Sequence, residues 1–194
     1  RHNAISALHA AVLLVAFAII ALWAHRSRVL SQLLAIASIA GAVVLSQVLF
    51  WQMVAEPGIG AVGLLPWYTL GTEQAGLGLY LDPTAIVMVA MVSFVCLMIF
   101  VYSVGYMRHD PRISRFFAYV TLFAGAMLGA VLCDSLLTLF VFWEIMGTCS
   151  YLLIGFWWEK PAANSAALKA FLVTKTGDLF LVLGLVLLYS QTGT

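Results

Sequence analysis

The chain has 194 residues, of which 64% are hydrophobic and 9% charged, and its mean hydropathy is +1.07. A water-soluble domain carries about 25% charged residues, so nine Lys/Arg and eight Asp/Glu cannot cover a soluble globule of this length. Disorder is excluded by the same hydrophobicity, and a net charge of +1 offers no electrostatic basis for binding nucleic acid. What remains is an all-α, polytopic membrane helix bundle.

A spanning helix needs roughly 20 mostly apolar residues. Six stretches qualify, at about 4–24, 31–53, 84–107, 116–133, 135–156 and 166–189. Residues 1–53 hold the first two, 54–82 form a long outer loop, and 83–194 hold the last four. Within the loop, Gly76-Leu77-Gly78-Leu79-Tyr80-Leu81 alternates with a period of two, which predicts a short β-hairpin. Asp82, just ahead of Pro83, is placed to cap the third helix, and Asp134 to cap the fifth. Only Cys133-Asp134-Ser135 separates the fourth and fifth helices, which predicts a tight helical hairpin; Pro161 is expected in the loop before the sixth.

Loop charges set the orientation. His25, Arg26 and Arg28 lie between the first two helices, Arg108, Arg112 and Arg115 between the third and fourth, and Lys160 between the fifth and sixth. The alternate loops carry only Glu56, Glu73 and Asp134. The positive-inside rule then places the basic loops in the cytoplasm and the N-terminus outside. Trp23, Trp51, Trp67, Trp157 and Trp158 fall near the expected interfaces, as an aromatic belt does. The chain lacks an initiator Met and stops soon after an apolar run, so it is expected to be a piece of a longer protein.

Charges at membrane depth are the informative residues. Glu144 stands near the centre of the fifth helix, where a charge costs at least about 2.5–3.5 kcal/mol on insertion scales. It must face protein or water, and the stripe Glu144, Thr148, Tyr151, Gly155 offers a polar, small face. A buried carboxyl whose ionisation depends on a nearby ammonium meets the physical requirement for a proton relay; a protonated or merely hydrogen-bonded glutamate is the structural alternative. On the sixth helix Lys175 and Asp178 share a face near the midplane, either as a permanent ion pair or as one that exchanges partners. Lys169 is nearer the cytoplasmic end and within snorkelling reach of it.

Cys96, Cys133 and Cys149 have no C-x-x-C spacing and read as small core residues; the four histidines share no ligand spacing. No phosphate-binding or dinucleotide-binding glycine motif and no haem-attachment motif is present, so the chain is expected to hold no cofactor or metal of its own.

The run FWEIMGTCSYLLIGFWWEKP, followed by AALKAFLVTKTGDLFLVLGLVLLY, resembles the antiporter-like membrane subunits of complex I, the proton-pumping NADH:quinone oxidoreductase. LYLDPTAIVM and YSVGYMRHDPRISRFFAYVTLF fit the same distal large subunit, and the likeness covers about 80–190. This resemblance implies the first six helices of a larger fold, in an energy-transducing membrane such as the bacterial inner membrane. It implies that Glu144, after Trp143 in the W-E motif, lies on the proton path and pairs with a lysine on a following helix beyond Thr194. It also implies that Lys175 and Asp178 of the T-x-x-G-D motif meet a neighbouring antiporter-like subunit. Lys175 stands where Arg is more usual, and Phe142 where Gly often precedes the tryptophan. NADH, FMN, iron–sulfur clusters and quinone are expected in partner subunits. The alternatives are a subunit of a multi-subunit Na⁺(K⁺)/H⁺ antiporter, a membrane partner of an inorganic-carbon uptake or hydrogenase complex, and a scaffold without transport.

Overall fold

The computed structural model describes residues 15–21, 27–55, 61–70 and 73–192, with the backbone alone over 61–70 and 73–79 and at 192. A helical segment over 15–21 (α1) is followed by α2 (Arg28–Ala55), β1 (Ala61–Leu70), β2 (Glu73–Leu81), α3 (Pro83–Tyr106), α4 (Ile113–Leu132), α5 (Leu136–Ile154) and α6 (Pro161–Thr192). The helices α2 to α6 are long and apolar enough to cross a bilayer. Most of the first expected span lies outside the described residues, along with His2, His9, Trp23, His25 and Arg26.

Each run becomes a helix because lipid leaves no partner for a backbone amide except the chain itself. The ends are set by local chemistry. Asp82 has extended backbone, φ −100° and ψ 166°, and its carboxylate accepts the Ala85 amide at 2.6 Å, with Pro83 as the first helical residue of α3. The cap of α5 is Ser135 and not Asp134. The Ser135 backbone is extended and its hydroxyl accepts the Thr138 amide at 3.1 Å, one residue closer to the helix than the aspartate. The sixth helix starts at Pro161 instead of near 166, because proline in the first turn forfeits no helical hydrogen bond. The Asn164 amide already bonds to the Lys160 carbonyl at 3.1 Å.

Between α2 and α3, β1 and β2 pair antiparallel from Ala61↔Leu81 to Leu70↔Glu73. The register shifts between Pro66 and Tyr68, as expected where a proline cannot donate to the ladder.

The core lies among α2, α3 and α4, with Ile39, Ile86, Phe100, Phe117 and Leu128 fully buried. The Phe100 and Phe117 rings meet edge to face at 6.2 Å. Apolar burial between helices gains little over lipid, so polar contacts help to specify their register. Ser31 donates to Ser114 and joins α2 to α4, while Ser46 and Ser93 join α2 to α3, each pair at 2.9 Å. Among the cysteines Cys149 is fully buried, and all three are free thiols.

Helix α5 lies on α4, and α6 packs on α5 at the edge of the bundle. Phe142 enters the α4–α5 contact opposite Gly129, where a Cβ would fall 2.4 Å from its ring. Gly129→Ala is expected to destabilise the fold by about 1–3 kcal/mol through overpacking. Thermal unfolding in detergent checks this, and Phe142→Leu in the same chain should restore part of the loss.

Candidate functional site

The antiparallel run of α5 and α6 brings together residues 31 positions apart in sequence. Lys175 Nζ donates to Glu144 Oε2 and, at 3.1 Å, to Asp178 Oδ2. Trp143 Nε1 donates to the other oxygen of Asp178 at 3.0 Å. Gly147 leaves room for the ammonium, since a Cβ there would sit 3.5 Å from Lys175 Nζ. The Phe171 ring, 5.7 Å from the same nitrogen, adds a weak cation–π contact, and Tyr151 packs on Phe171 at 5.2 Å. Nearer the α5–α6 turn, Gly155 lets the backbones approach, with Ala167 Cβ 3.1 Å from where its own Cβ would be.

One ammonium therefore serves two carboxylates. With all three groups ionised, the cluster carries one excess negative charge at membrane depth. The two carboxylates differ in access: the Glu144 side chain is 31% exposed and that of Asp178 is 10% exposed.

Spacing on α6 already puts Lys175 beside Asp178. The link from Lys175 to Glu144 carries no local sequence signal, and neither does Trp143 to Asp178. The resemblance implies a further partner for Glu144 beyond Thr194, outside the described residues; among the described residues Lys175 of α6 contacts Glu144. The face of α5 turned to α6 runs through Glu144, Gly147, Tyr151 and Gly155. Thr148 is exposed beside that face, its hydroxyl turned back onto the Glu144 carbonyl at 3.0 Å. Lys169 is exposed and has no ion pair among the described residues.

A second polar assembly ties the α3–α4 turn to the α5–α6 turn. Asp110 accepts the Trp157 indole N–H at 2.8 Å and the Arg112 amide at 2.8 Å. The Arg112 guanidinium bonds Glu159 at 2.6 Å, lies 3.6 Å from Asp110 and stacks 5.3 Å from the Phe156 ring. The knot anchors the start of α6, and with it the height of Lys175 against Glu144. Desolvation raises the Asp110 pKa, but the Trp157 N–H, the Arg112 amide and the Arg112 charge outweigh it and hold the carboxyl below its ordinary value. A depressed carboxylate stabilises the fold above its unfolded pKa of about 3.9 and loses that contribution as pH falls further. Asp110→Asn should therefore melt earlier than the parent near neutrality, and the two melting curves should converge below about pH 4. A gap of constant size across that range would show that the charge of Asp110 contributes nothing.

Residues 67–117 match the family model for the chain 5 N-terminus of NADH-ubiquinone oxidoreductase, complex I. Residues 133–194 match the transmembrane model shared by NADH:quinone oxidoreductase and Mrp antiporters. The chain belongs to the antiporter-like membrane subunit family of complex I and Mrp. It is 36% identical to NAD(P)H-quinone oxidoreductase chain 5 of Synechocystis sp., over 88% of this chain and 25% of that one. It is 55% identical to F420H2 dehydrogenase subunit L of Methanosarcina mazei, over 57% of this chain and 16% of that one. The chain thus spans a quarter or less of the length of these two relatives. The solved Mrp complex of Dietzia sp. superposes with a TM-score of 0.76 at 28% identity, over 96% of this chain and 20% of the other. An archaeal membrane-bound sulfane sulfur reductase shares the antiporter-like fold with a TM-score of 0.82 at 19% identity, over 97% of this chain and 38% of the other.

Proposed function

We propose that this chain belongs to a proton-translocating subunit of a membrane redox complex, and that the Glu144–Lys175–Asp178 cluster is part of its proton path. The observation that carries this reading is the single ammonium shared between two carboxylates of unequal access. With Lys175 against Glu144, the glutamate is neutralised as a carboxylate and has no need of a proton. When Lys175 swings onto Asp178, the Glu144 carboxylate is left uncompensated in a low-dielectric site and takes up a proton; the return of the ammonium expels it. Electron transfer in partner subunits, which would hold the flavin, iron–sulfur and quinone sites, supplies the drive.

Relatives named for NAD(P)H and for F420H2 share this segment, so the electron donor is chosen elsewhere in the complex. The basic loops face the cytoplasm and the N-terminus the outside, in an energy-transducing membrane. The exposed apolar face of α6, with Leu172, Val173 and Phe180, meets further membrane helices, among them those of a neighbouring antiporter-like subunit.

The test is to solubilise the native protein gently, identify its companions by mass spectrometry and measure proton uptake by the complex in vesicles. Flavin and iron–sulfur companions, with proton uptake that follows electron transfer, support the proposal. Small membrane companions alone, with cation/proton exchange and no electron transfer, would replace it with the Mrp-type antiporter reading that the Dietzia likeness favours.

A further inference from the structure

Trp143 is the one member of the cluster that carries no charge, and its geometry is demanding. Half of its surface is exposed, and at membrane depth lipid offers an indole N–H no acceptor. The N–H reaches across to α6 and bonds Asp178 Oδ1 at 3.0 Å, while Lys175 takes Asp178 Oδ2 at 3.1 Å. Because α5 and α6 run antiparallel, the consecutive pair Trp143–Glu144 meets Asp178 and Lys175 in matching order. Glu144 holds the ammonium from one side, and Trp143 steadies the carboxylate that is its other partner.

We propose that Trp143 is a positioning residue for proton transfer. Its N–H holds the Asp178 carboxylate in place, so that Lys175 has a fixed second partner when it leaves Glu144. The charged groups around Asp178 are Lys175 on its own helix and Glu144 on α5, the element packed against it. Neither replaces the indole donor: Glu144 has none to offer when ionised, and Lys175 is the group that moves. Without the N–H, the Asp178 carboxylate is free to turn away from Lys175, which then lacks a fixed alternative partner.

The inference rests on the proton-translocating reading, and the experiment separates the two. The complete complex is prepared with Trp143→Phe, with a benzothienyl side chain at 143 that keeps the ring volume but replaces N–H by sulfur, and with Glu144→Gln as control. Electron-transfer-driven proton uptake is followed in each complex. The expected result is coupled proton uptake slowed by about tenfold in both ring variants, as for the loss of one hydrogen bond to a charged group, with assembly and electron transfer retained. Proton uptake at the parent rate in both ring variants while Glu144→Gln is impaired overturns the role of Trp143 alone. Full proton uptake in Glu144→Gln overturns the proton-path reading itself. If the phenylalanine variant fails to assemble, the sulfur analogue, which preserves packing, decides the question by the same loss of rate.

Discussion

Glu144→Gln, introduced into the complete complex, is expected to leave assembly intact and to slow coupled proton transfer by about 100-fold, the low end of what a positioned acid–base group contributes. Charge arithmetic explains the first half. The glutamine retains an oxygen that accepts from Lys175, and the remaining Lys175–Asp178 pair, 3.1 Å apart, is neutral. Nothing is left uncompensated, so the helices keep their register. The second half follows because an amide neither takes up nor releases a proton in the working range. Quantifying the subunit in purified complex and proton uptake per electron transferred checks both. Normal uptake by a fully assembled mutant would remove Glu144 from the path.

Lys175→Met should be more damaging, because it strikes assembly as well as transfer. It removes the only cation that contacts Glu144 and Asp178 among the described residues, and two carboxylates then share a site of low dielectric. Leaving a buried charge unpaired costs about 3–5 kcal/mol, which the protein avoids only by protonating one carboxylate or separating α5 from α6. Lower recovery of assembled complex is expected, with coupled transfer lost in the fraction that assembles. Adding Glu144→Gln to Lys175→Met should recover part of the assembly, since one of the two orphaned carboxylates is gone. Lys169→Met is the matched control. Lys169 is exposed and unpaired among the described residues, so its loss should change assembly little. Equal damage from the two lysine substitutions would mean that depth and pairing do not distinguish them.

These expectations depend on how the cluster is supported. Gly129 receives Phe142 and sets the spacing of α4 and α5, while the Asp110–Arg112–Glu159–Trp157 knot fixes the turn from which α6 departs. Lys175 therefore arrives at Glu144 by virtue of contacts at both ends of α5. Phe142, a departure from the glycine that the resemblance suggests at this position, is accommodated by the glycine across from it.

Much of this was legible in the residues alone. Membrane burial followed from composition, because charged surface was missing. Five of the six expected spans, those in the described residues, followed from apolar runs of bilayer length, and their limits moved by only a few residues, at caps such as Ser135 and Pro161 where one hydrogen bond decides the start. The pairing of β1 with β2 agrees with the alternation in 76–81. Glu144, Lys175 and Asp178 stood out because ionisable groups are costly at depth, and Lys175–Asp178 was readable because helical spacing is a local rule.

The remaining contacts were not legible, for a physical reason. Periodicity reports which way a side chain points around its own helix, but not how far a neighbouring helix is rotated or raised against it. Whether Glu144 meets Lys175, and whether Trp143 reaches Asp178, depends on the rotation and height of α6 against α5. The packing of Gly129, Gly147 and Gly155 and the loop knot determine that relation, and all of them join residues distant in the chain. The sequence alone determined a membrane bundle with charges at its middle; only the tertiary structure decided which charges meet, because that depends on the positions of helices that no single helix encodes.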